Sequence, residues 1–556
     1  MKNLYRIAPR LVHYSLIAFT LGAHAQLAQQ SFLSVLRRGK AAAFAADAIV
    51  ASPQILAQLA RPIFSIIVAY VLLFWLIAVL ARPRRAAEQA PPRRILIVLL
   101  TWFSSWWLLL HAHGVWFPRS IWSTITAAAF SSPLTWVTTG VAALWIVLRL
   151  IALMRSQAGS VHAGLKRLDR RVVVAIVMLA IVLPLSAWSL QAKWGNDAPL
   201  RVASGSAQPN LIIIGLDSLR RDLALGDGDA MPHLARVREH AFIEANVVSP
   251  IARTFPAWVT LLTGQDPAQS GARFNLTAQD DLPLRESLGW KLKAIGYQTI
   301  YATDETRFSN IGTEFGFDTV IGPQPGVADF LLAQVADMPL VNFMIQLPWA
   351  EQLAPSLVGN RAFASAYRPE RYLQRLEHTL GAWNGKPTAL AIHLCLAHWP
   401  YHTAHTPLAK NPDARSIYRA STRELDAQFG TLLQDLRRLG YLNDRSLLVL
   451  LADHGDIVSA DEASPASITQ VGTDTSPPIG IRLIGHGTSV LVPEQWQVFL
   501  MFSGQSALGP VPSGRSDALT SLQDFSGSVL ALLGADAGRG ALAVVDAVRG
   551  SAQRSG

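Results

Sequence analysis

The chain has 556 residues, a formal net charge of +10 and a single cysteine, Cys395. That length leaves room for at least two domains with cores of their own, and one cysteine excludes an intrachain disulfide. The charge divides sharply: residues 1–190 carry 19 Lys/Arg against 3 Asp/Glu, and the remainder carries 29 against 35. The basic side chains cluster between long apolar runs, a membrane-topology pattern that argues against a nucleic-acid surface, so no nucleic-acid partner is expected.

In chain order, residues 10–28 come first. They read as an uncleaved membrane span, although a signal peptide cut after Ala-His-Ala is the alternative and His13 and Tyr14 interrupt the apolar run. Four further runs, 62–81, 95–116, 133–154 and 172–190, approach the ~20 residues a helix needs to cross a bilayer. "RPRRAAEQAPPRR" and "RSQAGSVHAGLKRLDRR" each hold five basic residues, and the intervening "FPRSIWSTIT" holds only Arg119. By the positive-inside rule the two basic loops are cytoplasmic. The chain beyond residue 191 is then exported: a linker over 191–208, a folded domain over 209–545 and a tail over 546–556. The expected location is the inner membrane, multi-pass, with the large C-terminal domain on the periplasmic side.

"LIIIGLDSLRRD" reads as a buried parallel strand that delivers Asp217 at its carboxyl end. "SLLVLLADHGD" repeats the design with Asp453 and His454. "TALAIHLCLAHWPYH" is a third such strand, with His393 inside it and His398, His402 and His405 beyond. Helical patterns such as "STRELDAQFGTLLQDLRRLG" lie between the strands, which predicts an α/β sandwich around a mostly parallel sheet. Ligand sites in such sheets lie beyond the carboxyl ends of the strands. In "SPIARTFPAWVTLLTGQDP", Pro256 suits a first helical turn and Gly264 a C-terminal cap. Thr254 therefore stands at the positive end of a short helix, either as its cap or as a hydroxyl facing an anion. Carboxylate oxygen and imidazole nitrogen nearby suit a divalent cation that could activate that hydroxyl.

Together these motifs resemble the alkaline phosphatase superfamily, in its sulfatase-like branch that includes phosphoethanolamine transferases and lipoteichoic acid synthases. The resemblance spans about residues 209–540, with "LIIIGLDSLRRDL", "TFPAWVTLLTG", "LADHGD", "GHGTSVLVP" and "SLQDFSGSVLALLGAD" in the family's order. It implies a metal site of Asp217, Thr254, Asp453 and His454, with Thr254 as nucleophile. One divalent ion is implied, zinc or manganese, with calcium or magnesium as alternatives. His486 and His398 fall where the family keeps substrate-side histidines, although the latter's segment also reads as a solvated surface turn. Arg220, Arg253 and His402 are weaker substrate-side candidates.

Departures from the family pattern narrow the chemistry. Threonine cannot supply the formylglycine of sulfatases, and Ala257 and Trp258 stand where a basic residue follows the sulfatase signature. The residue four before His398 is Leu394, so the acid of a second-metal pair is missing. Asp217 stands where the membrane transferases usually have Glu. His393 reads as a satisfied core histidine and Cys395 as a small buried apolar residue. The polar stretch between "DHGD" and "GHG" reads as a loop over the site. The expected function is a phosphotransferase with a membrane phospholipid donor and an envelope glycan or lipid acceptor. The alternatives are an anchored hydrolase of phosphate or sulfate esters and a non-catalytic membrane protein.

Overall fold

The structure, a computed structural model, describes residues 8–23, 26, 53–82, 90–130, 132, 134–158, 208–226, 229–275, 277–280, 282–323, 337–347, 350–353, 355–401, 412–458, 485–487, 490, 492–535 and 542–555. The expected span 172–190, the linker up to residue 207, His402, His405 and the loop over 459–484 lie outside them. Two compact units divide the chain. One comprises Met1–Ala198 and Gly326–Val358, and the other Pro199–Pro325 and Gly359–Gly556.

The first unit holds α1 (Pro53–Leu80), α2 (Pro91–Trp116), α3 (Ile121–Phe130) and α4 (Leu134–Ala158). Three windows, Ile63–Leu80, Pro92–Trp116 and Leu134–Leu153, are long and apolar enough to cross a membrane. Their outward faces show Phe64, Val71, Phe103, Trp136 and Val141 exposed, a surface that water would penalise and lipid would not. Residues 8–23 are helical as well, and His13 meets a polar partner there: Trp102 Nε1 donates to its Nδ1 at 2.8 Å. Arg149 is buried in α4, where its Nε donates to the Leu80 carbonyl at 2.9 Å and so satisfies an orphan acceptor at the end of α1.

The first unit also takes in Gly326–Val358, a segment of the half that the sequence leads one to expect outside the membrane. Asp337 Oδ2 accepts the Ile121 N–H at the start of α3 (2.9 Å), and Asn342 Nδ2 donates to Asp337 Oδ1 (2.8 Å) and to His113 Nε2 (3.0 Å). Asn342 belongs to α6 (Pro339–Met344), whose Phe343 ring lies 5.2 Å from Phe117. Nothing in the composition of this segment marked it as a partner of the helices.

In the second unit the strands are β1 (Asn210–Leu216), β2 (Phe242–Val248), β3 (Gln298–Thr303), β4 (Thr319–Ile321), β5 (Thr388–Leu394), β6 (Ser446–Leu451), β7 (Gln497–Ser506), β8 (Gly509–Pro510) and β9 (Gly514–Ser521). They form one sheet in the order β4-β3-β5-β1-β6-β7-β2-β9, with β8 paired to β7. The five strands from β4 to β6 run parallel, and β7 is antiparallel to both its neighbours. Every residue of β1, β5 and β6 is buried, as strands covered on both faces require. Helices α5 (Thr254–Thr263), α7 (Pro369–Leu380), α8 (Ala414–Leu439) and α9 (Asp524–Leu532) complete the core. The segment expected as a tail is instead helical: α10 runs Ala543–Ser555, Val548 is fully buried, and the Val544 N–H donates to buried Glu244 at 2.9 Å.

Candidate metal centre

The register of the central strands puts the candidate residues on one face at one edge. His393 of β5 pairs with Gly215 of β1, and Gly215 pairs with Leu451 of β6. Side chains alternate with period two, so Asp217 and Asp453, two residues beyond those partners, leave the sheet on the side of His393. Asp217, Asp453 and His454 each bring one donor atom within 4.8 Å of the others, and all three are buried. His454 Nε2 lies 3.6 Å from Asp217 Oδ1 and 3.7 Å from Asp453 Oδ2. His454 Nδ1 lies 3.0 Å from the Gly455 carbonyl, a contact it makes as an N–H donor, and this directs the lone pair of Nε2 into the cluster.

Thr254 joins the same group: its Oγ1 lies 3.3 Å from His454 Nε2. It is not the cap of α5. Arg253 occupies the capping position, and the N–H of Phe255 is taken by Asn275 Oδ1 at 3.2 Å. Gly264 ends the helix at φ 75°, as its sequence position predicts. The hydroxyl therefore keeps its lone pairs for the cluster, at the positive end of the helix dipole.

Asp453 Oδ1 holds the turn, accepting the N–H of His454 (2.9 Å) and of Ser218 (3.3 Å). Ser218 sits at φ 58°, a strained position for a residue with a side chain, and its hydroxyl donates to Asp217 Oδ1 at 2.9 Å. The other oxygen, Asp453 Oδ2, is buried with no hydrogen-bond partner among the described residues, and so is His393 Nε2. Buried carboxylate and imidazole atoms left facing one another are costly unless a cation lies among them, so the residues fit the divalent ion their chemistry suggests.

His398 and His486 flank this group. The His486 ring centroid stands 4.3 Å from that of His454 and 4.8 Å from that of His398. His398 is buried rather than solvated, which removes the surface-turn reading. Its Nδ1 lies 2.6 Å from the Trp399 carbonyl and its Nε2 has no hydrogen-bond partner among the described residues. Arg253 reaches the Gly487 carbonyl at 3.2 Å and so ties the start of α5 to the His486 segment. Arg220 is engaged by Asp222 through two bonds of 2.9 and 2.7 Å.

Two residues were not singled out from sequence, and a third was read differently. Asp456 stands 3.7 Å from His486 Nδ1 and accepts the Tyr401 hydroxyl at 3.0 Å. Arg361, fully buried, donates to the His398 carbonyl and pairs with Glu305 at 3.4 Å. His393 is not the satisfied core histidine it was read as, because its Nε2 faces the two aspartates. The "DHGD" spacing could have pointed to Asp456; no local signal marked Arg361.

Burial and the nearby Asp453 hold the Asp217 carboxyl up to about 7, and burial does the same to Asp453. Burial and then the neighbouring His486 bring His454 down to about 4, and burial brings His393 to about 3. Burial pulls His486 down too, but Asp456, with Asp217 and Asp453, outweighs it and the net direction is up. At pH 6 the His454 and His393 imidazoles are thus neutral while the carboxyl pair retains protons. Cation binding at pH 6 is expected to release protons and at pH 8 almost none, so affinity rises with pH through about 7 and then levels off. Calorimetry in buffers of different ionisation enthalpy measures this, and equal proton release at both pH values would contradict it.

The sequence model of the Sulfatase family matches residues 209–535, more than half of the chain. The chain belongs to the sulfatase family. It is an enzyme of the sulfatase-like alkaline phosphatase superfamily, whose members depend on a metal. Similar solved structures include the lipoteichoic acid synthase LtaP from Listeria monocytogenes (16% identity, 63% of this chain and 80% of that one, TM-score 0.38). A phosphonate monoester hydrolase from Silicibacter pomeroyi shares 16% identity over 62% of this chain and 77% of its own, with a TM-score of 0.42. A protein of the alkaline phosphatase superfamily from Vibrio parahaemolyticus shares 16% identity over 60% and 68%, with a TM-score of 0.37. No curated protein matches the chain.

Proposed function

We propose that the chain is a membrane-anchored phosphotransferase that moves a phospholipid head group, phosphoethanolamine or phosphoglycerol, to an envelope glycan or lipid through a phospho-threonine on Thr254. The observation that carries this reading is the buried Thr254 hydroxyl, freed from capping and 3.3 Å from His454 Nε2 beside two carboxylates. Threonine cannot become formylglycine, so sulfate-ester chemistry of that kind has no nucleophile here. Apolar helices in the same chain keep the domain beside a lipid donor, which raises its effective concentration. The charge of the basic loops supports the periplasmic side of the inner membrane for the catalytic domain.

Asp217, Asp453, His454 and Thr254 would hold one divalent ion. When bound, the ion lowers the hydroxyl pKa and neutralises phosphoryl charge. Thr254 Oγ1 gives up its proton to solvent and forms the new P–O bond as the bond to the diacylglycerol oxygen breaks, and His486 or His398 gives the departing oxygen its proton. In the return step the acceptor hydroxyl yields its proton to that imidazole and attacks phosphorus, and the Thr254 oxygen leaves as the alkoxide and takes a proton back from solvent. With water as acceptor the same steps amount to hydrolysis.

The test is the intact mass of the full chain in nanodiscs after exposure to phosphatidylethanolamine or phosphatidylglycerol. An added head-group phosphate that maps to Thr254, and passes to a glycan acceptor, is the expected result. Free head group released without any acceptor product would assign the protein to hydrolysis. An unchanged mass together with no turnover of either lipid would remove both.

A further inference from the structure

Below the four candidate ligands, His393 is held in a way that core packing alone does not explain. Its ring lies against Trp258, with centroids 4.9 Å apart, and the neighbouring strand carries glycine at the paired position. A Cβ on Gly215 would come 2.6 Å from the Trp258 ring and 3.3 Å from the His393 ring, so β1 gives up a side chain to make room for both. On its outer side the ring has Nδ1 3.7 Å from Cys395 Sγ, a contact that leaves Nε2 to point inward.

Inward, Nε2 stands 3.6 Å from Asp453 Oδ2 and 3.8 Å from Asp217 Oδ2. Those distances exceed the ~2.7–3.2 Å of an N–H···O bond. They approach the spacing of donor atoms that share one ion: two ligands each about 2.1 Å from a zinc stand about 3.4 Å apart at a tetrahedral angle. The same spacing recurs between His454 Nε2 and these carboxylates, 3.6 and 3.7 Å. His393 and His454 therefore bear on the aspartate pair with matching distances, and neither makes a hydrogen bond to it.

We propose that His393 is a further ligand of the cation held by Asp217, Asp453 and His454, through Nε2. The donor set becomes two carboxylates and two imidazoles beside the threonine oxygen. Nitrogen-rich sets favour zinc, whereas calcium and magnesium take oxygen, so His393 tilts the site toward zinc. The inference rests on the metal site read above and adds one residue to it.

The full chain in nanodiscs, stripped with chelator and loaded with one equivalent of Zn²⁺, is examined by zinc K-edge X-ray absorption, whose outer-shell scattering counts imidazoles. Two are expected in the wild type and one in either His393→Gln or His454→Gln. Zinc affinity, measured by chelator competition, is expected to fall at least about 10-fold in His393→Gln. One imidazole in the wild type, or two retained in His393→Gln, overturns the proposal and leaves the four-residue site standing. Failure of the wild type to hold stoichiometric zinc overturns both. The wild-type count stands even where the variant does not fold.

Discussion

Replacing Thr254 by alanine is expected to lower phosphodiester turnover by on the order of 10⁴-fold or more, while the melting temperature changes little. The two halves of this expectation have separate causes. If Thr254 capped α5, its removal would cost about 1 kcal/mol of stability along with any activity. Arg253 holds that position instead, and Asn275 takes the N–H of Phe255, so the helix start is complete without the hydroxyl. Thr254→Ser keeps an oxygen at the same point and should retain turnover within about 10-fold, losing mainly the rotamer restraint of a β-branched side chain. Steady-state rates on a chromogenic phosphodiester, with thermal melts of the same preparations, decide the matter. Near wild-type turnover in the alanine variant would make water, not Thr254, the attacking group.

Much of the site follows from local pattern. A run of apolar residues that ends in an acid is what a strand covered on both faces must look like, so Asp217 and Asp453 were legible at their strand ends. The start of α5 was legible from Pro256 and its end from Gly264. Whether Thr254 capped the helix was not legible, because that depends on Asn275, twenty-one residues away and local only in space. His393 shows the limit most clearly. A histidine inside a buried strand reads as core, and its approach to two aspartates depends on the register that sets Gly215 opposite it. Arg361 behind His398, and residues 337–345 among the membrane helices, likewise depend on long-range contacts that no periodicity reports. The C-terminal α10 escaped for a different reason: its alanines and glycine give a weak apolar stripe, although Val544, Val545 and Val548 are fully buried.

The second large effect is expected at Asp453, where two oxygens do different things. Oδ1 accepts the N–H groups of Ser218 and His454 and so fixes the turn that presents the cluster. Oδ2 makes no hydrogen bond among the described residues and faces His393 and His454. Asp453→Asn keeps an acceptor for the two backbone donors and places an amide NH₂, which cannot bind a cation, where Oδ2 stood. The variant is expected to fold, to lose more than about 100-fold in affinity for zinc or manganese, and to lose turnover in step. Asp453→Ala removes both functions and should also cost about 1–3 kcal/mol through the two N–H groups left buried. Metal content after dialysis, set beside thermal melts, separates the variants. An asparagine variant that binds metal as tightly as the wild type would place the cation away from this carboxylate, and Thr254 would then lack the charge beside it that makes its hydroxyl a nucleophile.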